Sequence, residues 1–203
     1  MFKLLASIPF VALGVFLLFL LFWKFVFLRD PERIVPKGKV IVSPADGKVI
    51  SVLHWKKANL KLTKGLGALS VLCSDVSPGC LVVSIFMSPL DVHINRIPFD
   101  GKVLKVSHKP GSFRSANKLA LENEKNEVLL NTEFGRIKVV QVAGFLARRI
   151  ECWVSAGDIV KKGSRFGRIN LGSQVVLVLP DNLKVKVRPK DQVKAGETII
   201  ATK

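Results

Sequence analysis

The chain has no tyrosine, only three cysteines and three histidines, and 15 acidic residues against 32 basic ones. Cys73, Cys80 and Cys152 are odd in number and unevenly spaced, which argues against a disulfide framework. Neither a second Cys pair nor a His-x-x-x-His follows Cys73 and Cys80, so no metal site is expected and the thiols read as small buried hydrophobes in a reducing compartment. A net charge of +17 attracts polyanions, either nucleic acid or anionic lipid. No stretch joins clustered basic residues to an exposed aromatic platform, so nucleic acid is not expected as a partner. A Gly-x-Ser-x-Gly elbow and long heptads are also missing, which argues against a serine peptidase and a coiled-coil adaptor.

What is present is an uncharged apolar run from Leu4 to Trp23. As a helix it spans roughly 30 Å, one bilayer crossing. It is longer than the core of a cleaved signal peptide, and Phe22-Trp23-Lys24-Phe25 offers no small-residue cleavage site. Residues 1–26 are therefore expected to be a retained anchor, spanning or re-entrant. Lys24, Arg29, Arg33, Lys37 and Lys39 follow the run and only Lys3 precedes it, which places the chain in the cell membrane with its main domain on the cytoplasmic side.

Residues 27–39, punctuated by Pro31, Pro36 and Gly38, read as a linker, and residues 40–203 as one domain. Segments such as Lys48-Val49-Ile50-Ser51-Val52, Leu81-Val82-Val83-Ser84-Ile85-Phe86 and Arg136-Ile137-Lys138-Val139-Val140 are rich in β-branched residues and bounded by Gly, Pro or Asp. The expected fold is mostly β, a compact barrel or sandwich, with one short helical segment around Ala116 to Glu124. Two echoes bear on architecture. Asp46-Gly47-Lys48-Val49 recurs as Asp100-Gly101-Lys102-Val103, and Val154-x-x-x-Asp158-x-Val160-x-x-Gly163 recurs 33 residues later from Val187 to Gly196. Each copy joins an Asp turn, a short strand and a Gly turn, so two hairpins related by pseudo-symmetry are expected.

Chemistry centres on Leu171-Gly172-Ser173, a Gly-Ser step between two strand-like runs. Alone it is a bend. It becomes reactive if the glycine's conformation opens the Gly172 carbonyl to the Ser173 hydroxyl, with a base and an oxyanion partner nearby. Asp46 before Gly47 is ordinarily a turn residue. His93, between Val92 and Ile94, follows a strand and a Ser-Pro turn and is a candidate acid or base near neutral pH. His54 and His108 have no motif around them and read as surface residues.

Taken in order, Phe27-Leu28-Arg29-Asp30-Pro31, Ser43-Pro44-Ala45-Asp46-Gly47, Met87-Ser88-Pro89-Leu90-Asp91-Val92-His93, Thr132-Glu133-Phe134-Gly135 and Leu171-Gly172-Ser173 resemble the signature of the phosphatidylserine decarboxylase family, in its short form. The resemblance implies a proenzyme: Ser173 attacks the Gly172 carbonyl, and ester formation, elimination and hydrolysis leave a pyruvoyl cofactor at the start of a small chain that stays with the large one. That group forms a Schiff base with the substrate's serine amine and accepts the electrons released as carbon dioxide leaves. By the same resemblance Ser173, His93 and Asp46 are the catalytic residues.

Longer bacterial relatives have a second His three positions after the first, where this chain has Arg96, which cannot act as a base near neutral pH. Either His93 or Asp46 with a water must then help Ser173. Arg96 is instead a candidate phosphate ligand. Pro110-Gly111-Ser112-Phe113-Arg114 resembles the family's Pro-Gly loop, with Phe113 expected at the membrane interface and Arg114 and Lys118 on lipid phosphates. Diacyl and archaeal diether lipids fit equally, as do a monomer and an oligomer. The alternative reading is a membrane-anchored, lipoyl-like or adaptor barrel acting as a binding module.

Overall fold

Two environments decide which apolar runs become continuous strands and which become short hairpin arms. A computed structural model describes residues 2–56, 66–112, 122–144, 149–170 and 172–203. Its strands are β1 (Val40–Val42), β2 (Gly47–Lys56), β3 (Gly79–Met87), β4 (Ile94–Arg96), β5 (Gly101–Lys109), β6 (Lys125–Thr132) and β7 (Gly135–Val142). They continue as β8 (Ile150–Cys152), β9 (Ile159–Val160), β10 (Arg165–Ile169), β11 (Ser173–Pro180), β12 (Lys184–Val185), β13 (Gln192–Val193) and β14 (Ile199–Thr202). The helices are α1 (Phe2–Phe22), continued by a π-helical turn over Trp23–Phe27, and α2 (Leu66–Cys73).

An eight-stranded curled sheet runs in the order β13-β2-β3-β11-β7-β6-β5-β9, with β1-β14-β12 and β4-β10-β8 beside it. Every strand pair is antiparallel. The central strands are buried on both faces, which is why β3 and β11 read as unbroken apolar runs. Leu81, Val83 and Ile85 with Val175, Leu177 and Leu179 fill the main core. Their neighbours Cys80, Val82, Val176 and Val178 pack outward with Leu72 and Cys73 of α2. Cys73 and Cys80 are thus buried free thiols. α2 was not expected from the sequence; of the helical segment expected around Ala116 to Glu124, residues 116–121 lie outside the described residues, and Glu122 to Glu124 form a turn and an isolated bridge from Asn123 to Ser112.

The sheet order is palindromic about the β11–β7 pair, and the echoes fall on matching places. Gly47 pairs with Val193, and Gly101 with Val160. Val49 N–H donates to Asp191 O (2.9 Å) and Val103 N–H to Asp158 O (2.8 Å). Gly196 N–H reaches Ser43 O and Gly163 N–H reaches Ile97 O, each at 2.8 Å. The hairpins expected from the sequence are therefore equivalent parts of two interlocked halves.

Most of α1 packs on nothing: from Phe10 to Leu21 its side chains are exposed. Among the described residues, one helix is long and apolar enough to cross a membrane. The segment after it is docked along the domain. Asp30 pairs with Arg96 and Arg165, Glu32 with Arg165, and Arg33 with Asp46.

Candidate active site

One end of the large sheet gathers the residues that the sequence singles out as candidates for chemistry. In Ser43-Pro44-Ala45-Asp46-Gly47 the Ser43 hydroxyl donates to Ala45 O (2.7 Å), a local turn that delivers Asp46 to the start of β2. Gly47 must be glycine, since a Cβ there would lie 2.1 Å from Phe86 O. That close approach sets Asp46 beside the end of β3, where Met87 pairs with Ser173.

The Asp46 carboxylate accepts Ala195 N–H (2.7 Å) and the Arg33 guanidinium (2.8 and 3.0 Å). Burial raises its pKa above the ordinary aspartate range, against the opposing pull of the Ala195 N–H and of Arg33.

His93 is reached through a turn in which Ser88 N–H donates to the Asp91 carboxylate (2.7 Å). Its Nδ1 lies 2.8 Å from the Asp91 carbonyl oxygen. A carbonyl can only accept, so in the neutral ring the hydrogen sits on Nδ1 and Nε2 carries the lone pair. That Nε2 is buried with no hydrogen-bond partner. Burial, above all, pulls the imidazole pKa down to about 4, with Arg29 and Arg168 adding to the shift and Asp91 opposing it. His93 O accepts from Ile169 N–H (3.4 Å), which ties the turn to the end of β10, three residues before Gly172.

Gly172 has φ +64°, a left-handed conformation that glycine adopts freely, and open space where a Cβ would stand. Ser173 follows as the first residue of β11, fully buried, its hydroxyl 3.6 Å from Met87 Sδ. The same sulfur lies 3.7 Å from Asn95 Nδ2. Asn95 Oδ1 accepts from Gln141 Nε2 (2.9 Å), and Gln141 Oε1 accepts from Asn126 Nδ2 (2.9 Å). A buried polar chain thus ends at the serine.

Asp46, Gly172, Ser173 and His93 are brought to this one end. Arg96 stands apart: it is buried and its guanidinium donates to Asp30, Pro31 O and Gly163 O. Phe113, Arg114 and Lys118 lie outside the described residues. The pairing of Arg33 with Asp46 and the chain through Asn95 and Gln141 were not legible from the sequence, because contacts across such separations leave no spacing signal.

A family model described as phosphatidylserine decarboxylase matches residues 20–201. The chain belongs to the phosphatidylserine decarboxylase family. It is 43% identical over 183 residues to a phosphatidylserine decarboxylase proenzyme of Syntrophus aciditrophicus, covering 87% of this chain and 78% of that one. It is 44% identical over 193 residues to a protein of the same name from Chlorobaculum tepidum, covering 93% and 79%. A Methanothermobacter thermautotrophicus protein, provisionally named archaetidylserine decarboxylase proenzyme, is 38% identical over 205 residues, covering 97% and 89%. Membership of the phosphatidylserine decarboxylase family makes the chain a decarboxylase of phospholipid metabolism and replaces the binding-module reading.

Proposed function

We propose that the chain is a proenzyme that cuts itself between Gly172 and Ser173 and then decarboxylates a serine-headgroup phospholipid. The observation that carries this reading is the Gly172–Ser173 step: a glycine at φ +64° with open space, followed by a buried hydroxyl fixed at the head of a central strand.

The Ser173 hydroxyl adds to the Gly172 carbonyl, its proton passing to a base, and the peptide C–N bond breaks as the nitrogen takes up a proton. An ester replaces the amide. Loss of the Ser173 Cα proton expels the Gly172 carboxylate, and water converts the remaining enamine to a ketone with release of ammonia. Residues 1–172 then end in a carboxylate, and residues 173–203 begin with a pyruvoyl group. Such a group would supply a carbonyl for the substrate amine and an electron sink for loss of carbon dioxide.

Asp46 assists removal of the Ser173 proton, because its carboxyl is held at the right end of the sheet and Arg96 has no basic lone pair. His93, neutral with a bare Nε2, exchanges a proton during turnover. Arg96 ties the docked segment to the domain through Asp30, which leaves phosphate contact to Arg114 and Lys118, with Phe113 at the interface. The names of the relatives support both diacyl and archaeal diether lipids as substrates. The basic flank after α1 supports an anchored chain with its domain in the cytoplasm.

Intact mass spectrometry of purified protein tests the reading. Two chains are expected, the smaller of 31 residues and starting with a ketone. Ser173→Ala should abolish both cleavage and carbon dioxide release with the fold retained. His93→Ala should cleave and then fail to turn over. A single uncleaved chain in an active preparation, or a small chain with a free serine amine, overturns it.

A further inference from the structure

His93 is walled by separate elements, and one of them is the foot of the membrane helix. Beyond Phe22 the helix widens into a π-turn, closed by a bond from Leu28 N–H to Trp23 O (2.9 Å). Such turns insert a residue into the helical register and re-aim the side chains beyond it. Here Trp23 stacks on Phe27 (centroids 4.5 Å apart, planes at 23°), and Phe27 lies against the His93 ring (4.3 Å, 42°). Phe25, on the same turn, is 64% exposed, whereas Phe27 is 1% exposed. Arg29 follows and donates to the carbonyls of Val26 and Leu90, which bolts the helix foot to the turn that carries His93.

We propose that Phe27 is a positioning residue of the reaction: the foot of the membrane helix closes over the His93 imidazole and keeps water from it, so that the anchor is one wall of the active site. The proposal rests on the assignment of His93 to turnover. The ring has no polar partner on Nε2, and an aromatic face is a far weaker acceptor for an imidazolium N–H than water is. The charged groups facing it are Asp91 from its own turn, Arg29 from the helix foot and Arg168 from β10, the last tied to Glu151 at 2.9 and 3.1 Å. Burial outweighs the opposing pull of Asp91, and the two arginines add to it. Removing the Phe27 ring opens Nε2 to water, which solvates the protonated form.

The full chain in lipid nanodiscs, with labelled histidine, reports His93 directly by NMR, since only His54 and His108 accompany it. The His93 midpoint should sit near 4 in the parent protein and rise by at least about one pH unit in Phe27→Ala, the sign expected when burial is relieved. Phe25→Ala, on the exposed side, should leave it in place. On vesicles of a serine-headgroup phospholipid, the acid limb of carbon dioxide release should move to higher pH in Phe27→Ala, with self-cleavage retained. An unmoved midpoint or an unmoved acid limb overturns the proposal. Should Phe27→Ala fail to fold, Phe27→Leu decides by the same two readouts, with a smaller shift in the same direction. Normal turnover in His93→Ala would instead remove the assignment on which the proposal rests, whatever Phe27→Ala does.

Discussion

Asp46 and Asp100 occupy matching positions in the two halves of the sheet. Each precedes a glycine that opens a long strand, and each accepts a backbone N–H at 2.7 Å, from Ala195 and from Lys162. Asp100 is exposed, and among the described residues no cation pairs with it. Asp46 is buried against Arg33, which arrives from the docked segment outside the repeat. The strand ends differ as well. In one half Thr132 and Gly135 are joined by a tight turn, with Thr132 Oγ1 donating to Gly135 O (2.7 Å). In the other the corresponding pair is Met87 and Ser173, which belong to distant parts of the chain. The repeat therefore supplies scaffold twice, and the candidate site lies where residues from outside it are added to one copy.

The two halves differ most in their dependence on Arg33. Arg33→Ala strands a buried carboxylate and should cost about 3–5 kcal/mol, read by denaturant unfolding in the uncleaved Ser173→Ala background. Adding Asp46→Asn should recover most of the loss, and strict additivity of the two changes would show that the pair is not coupled.

A smaller effect separates the two aspartates. Asparagine keeps the oxygen that accepts the turn N–H and removes the charge. Asp46→Asn should slow self-cleavage by roughly 100-fold or more, as expected for loss of a proton-transfer group, whereas Asp100→Asn should stay within about twofold, as surface changes do. The remaining full-length chain on a gel gives the answer, and equal rates for the two would mean that Asp46 is a turn residue only.

The smallest effect sharpens the symmetry itself. Gly163 and Gly196 have φ +80° and +76°. Alanine at either position should cost about 1 kcal/mol for the left-handed backbone. At Gly163 the new methyl would also stand 2.3 Å from Val35 Cγ2, while at Gly196 its nearest neighbour is Arg96 Cδ at 3.1 Å. Gly163→Ala should therefore melt lower, because a branched valine yields less readily than a long flexible chain. Identical melting temperatures would show that the docked segment gives way at Val35.

The symmetry was legible because each copy spells its turns with Asp and Gly at fixed offsets, and turn chemistry is local. The long first helix and the long strands were legible from apolar runs. Other features depend on what faces them. Leu66-Gly67-Ala68-Leu69-Ser70-Val71-Leu72-Cys73 has no clear period and a glycine near its start, and its helix is covered by the outer face of the sheet. The candidate site was legible only as residue types at Asp46, His93 and Ser173. Their partners were hidden, since Arg33 and Asp46 meet only after the chain turns back. Arg96 shows the same limit: a guanidinium in a motif suggests a phosphate, yet folding has already given it Asp30 and two carbonyls.

β11 lies in the middle of the sheet, in register with β3 from Ser173 to Pro180 and with β7 from Gln174 to Val178. Ends of a polypeptide usually fray, because a terminal residue has chain on only one side to hold it. An end created before Ser173 would be unlike that. It would inherit much of the rigidity of a strand interior, with its first residue opposite Met87 and the next held between Phe86 and Val142. Breaking the backbone there frees no motion where the new group must act, so the molecule would gain a chemically reactive terminus that has the positional precision of an internal residue.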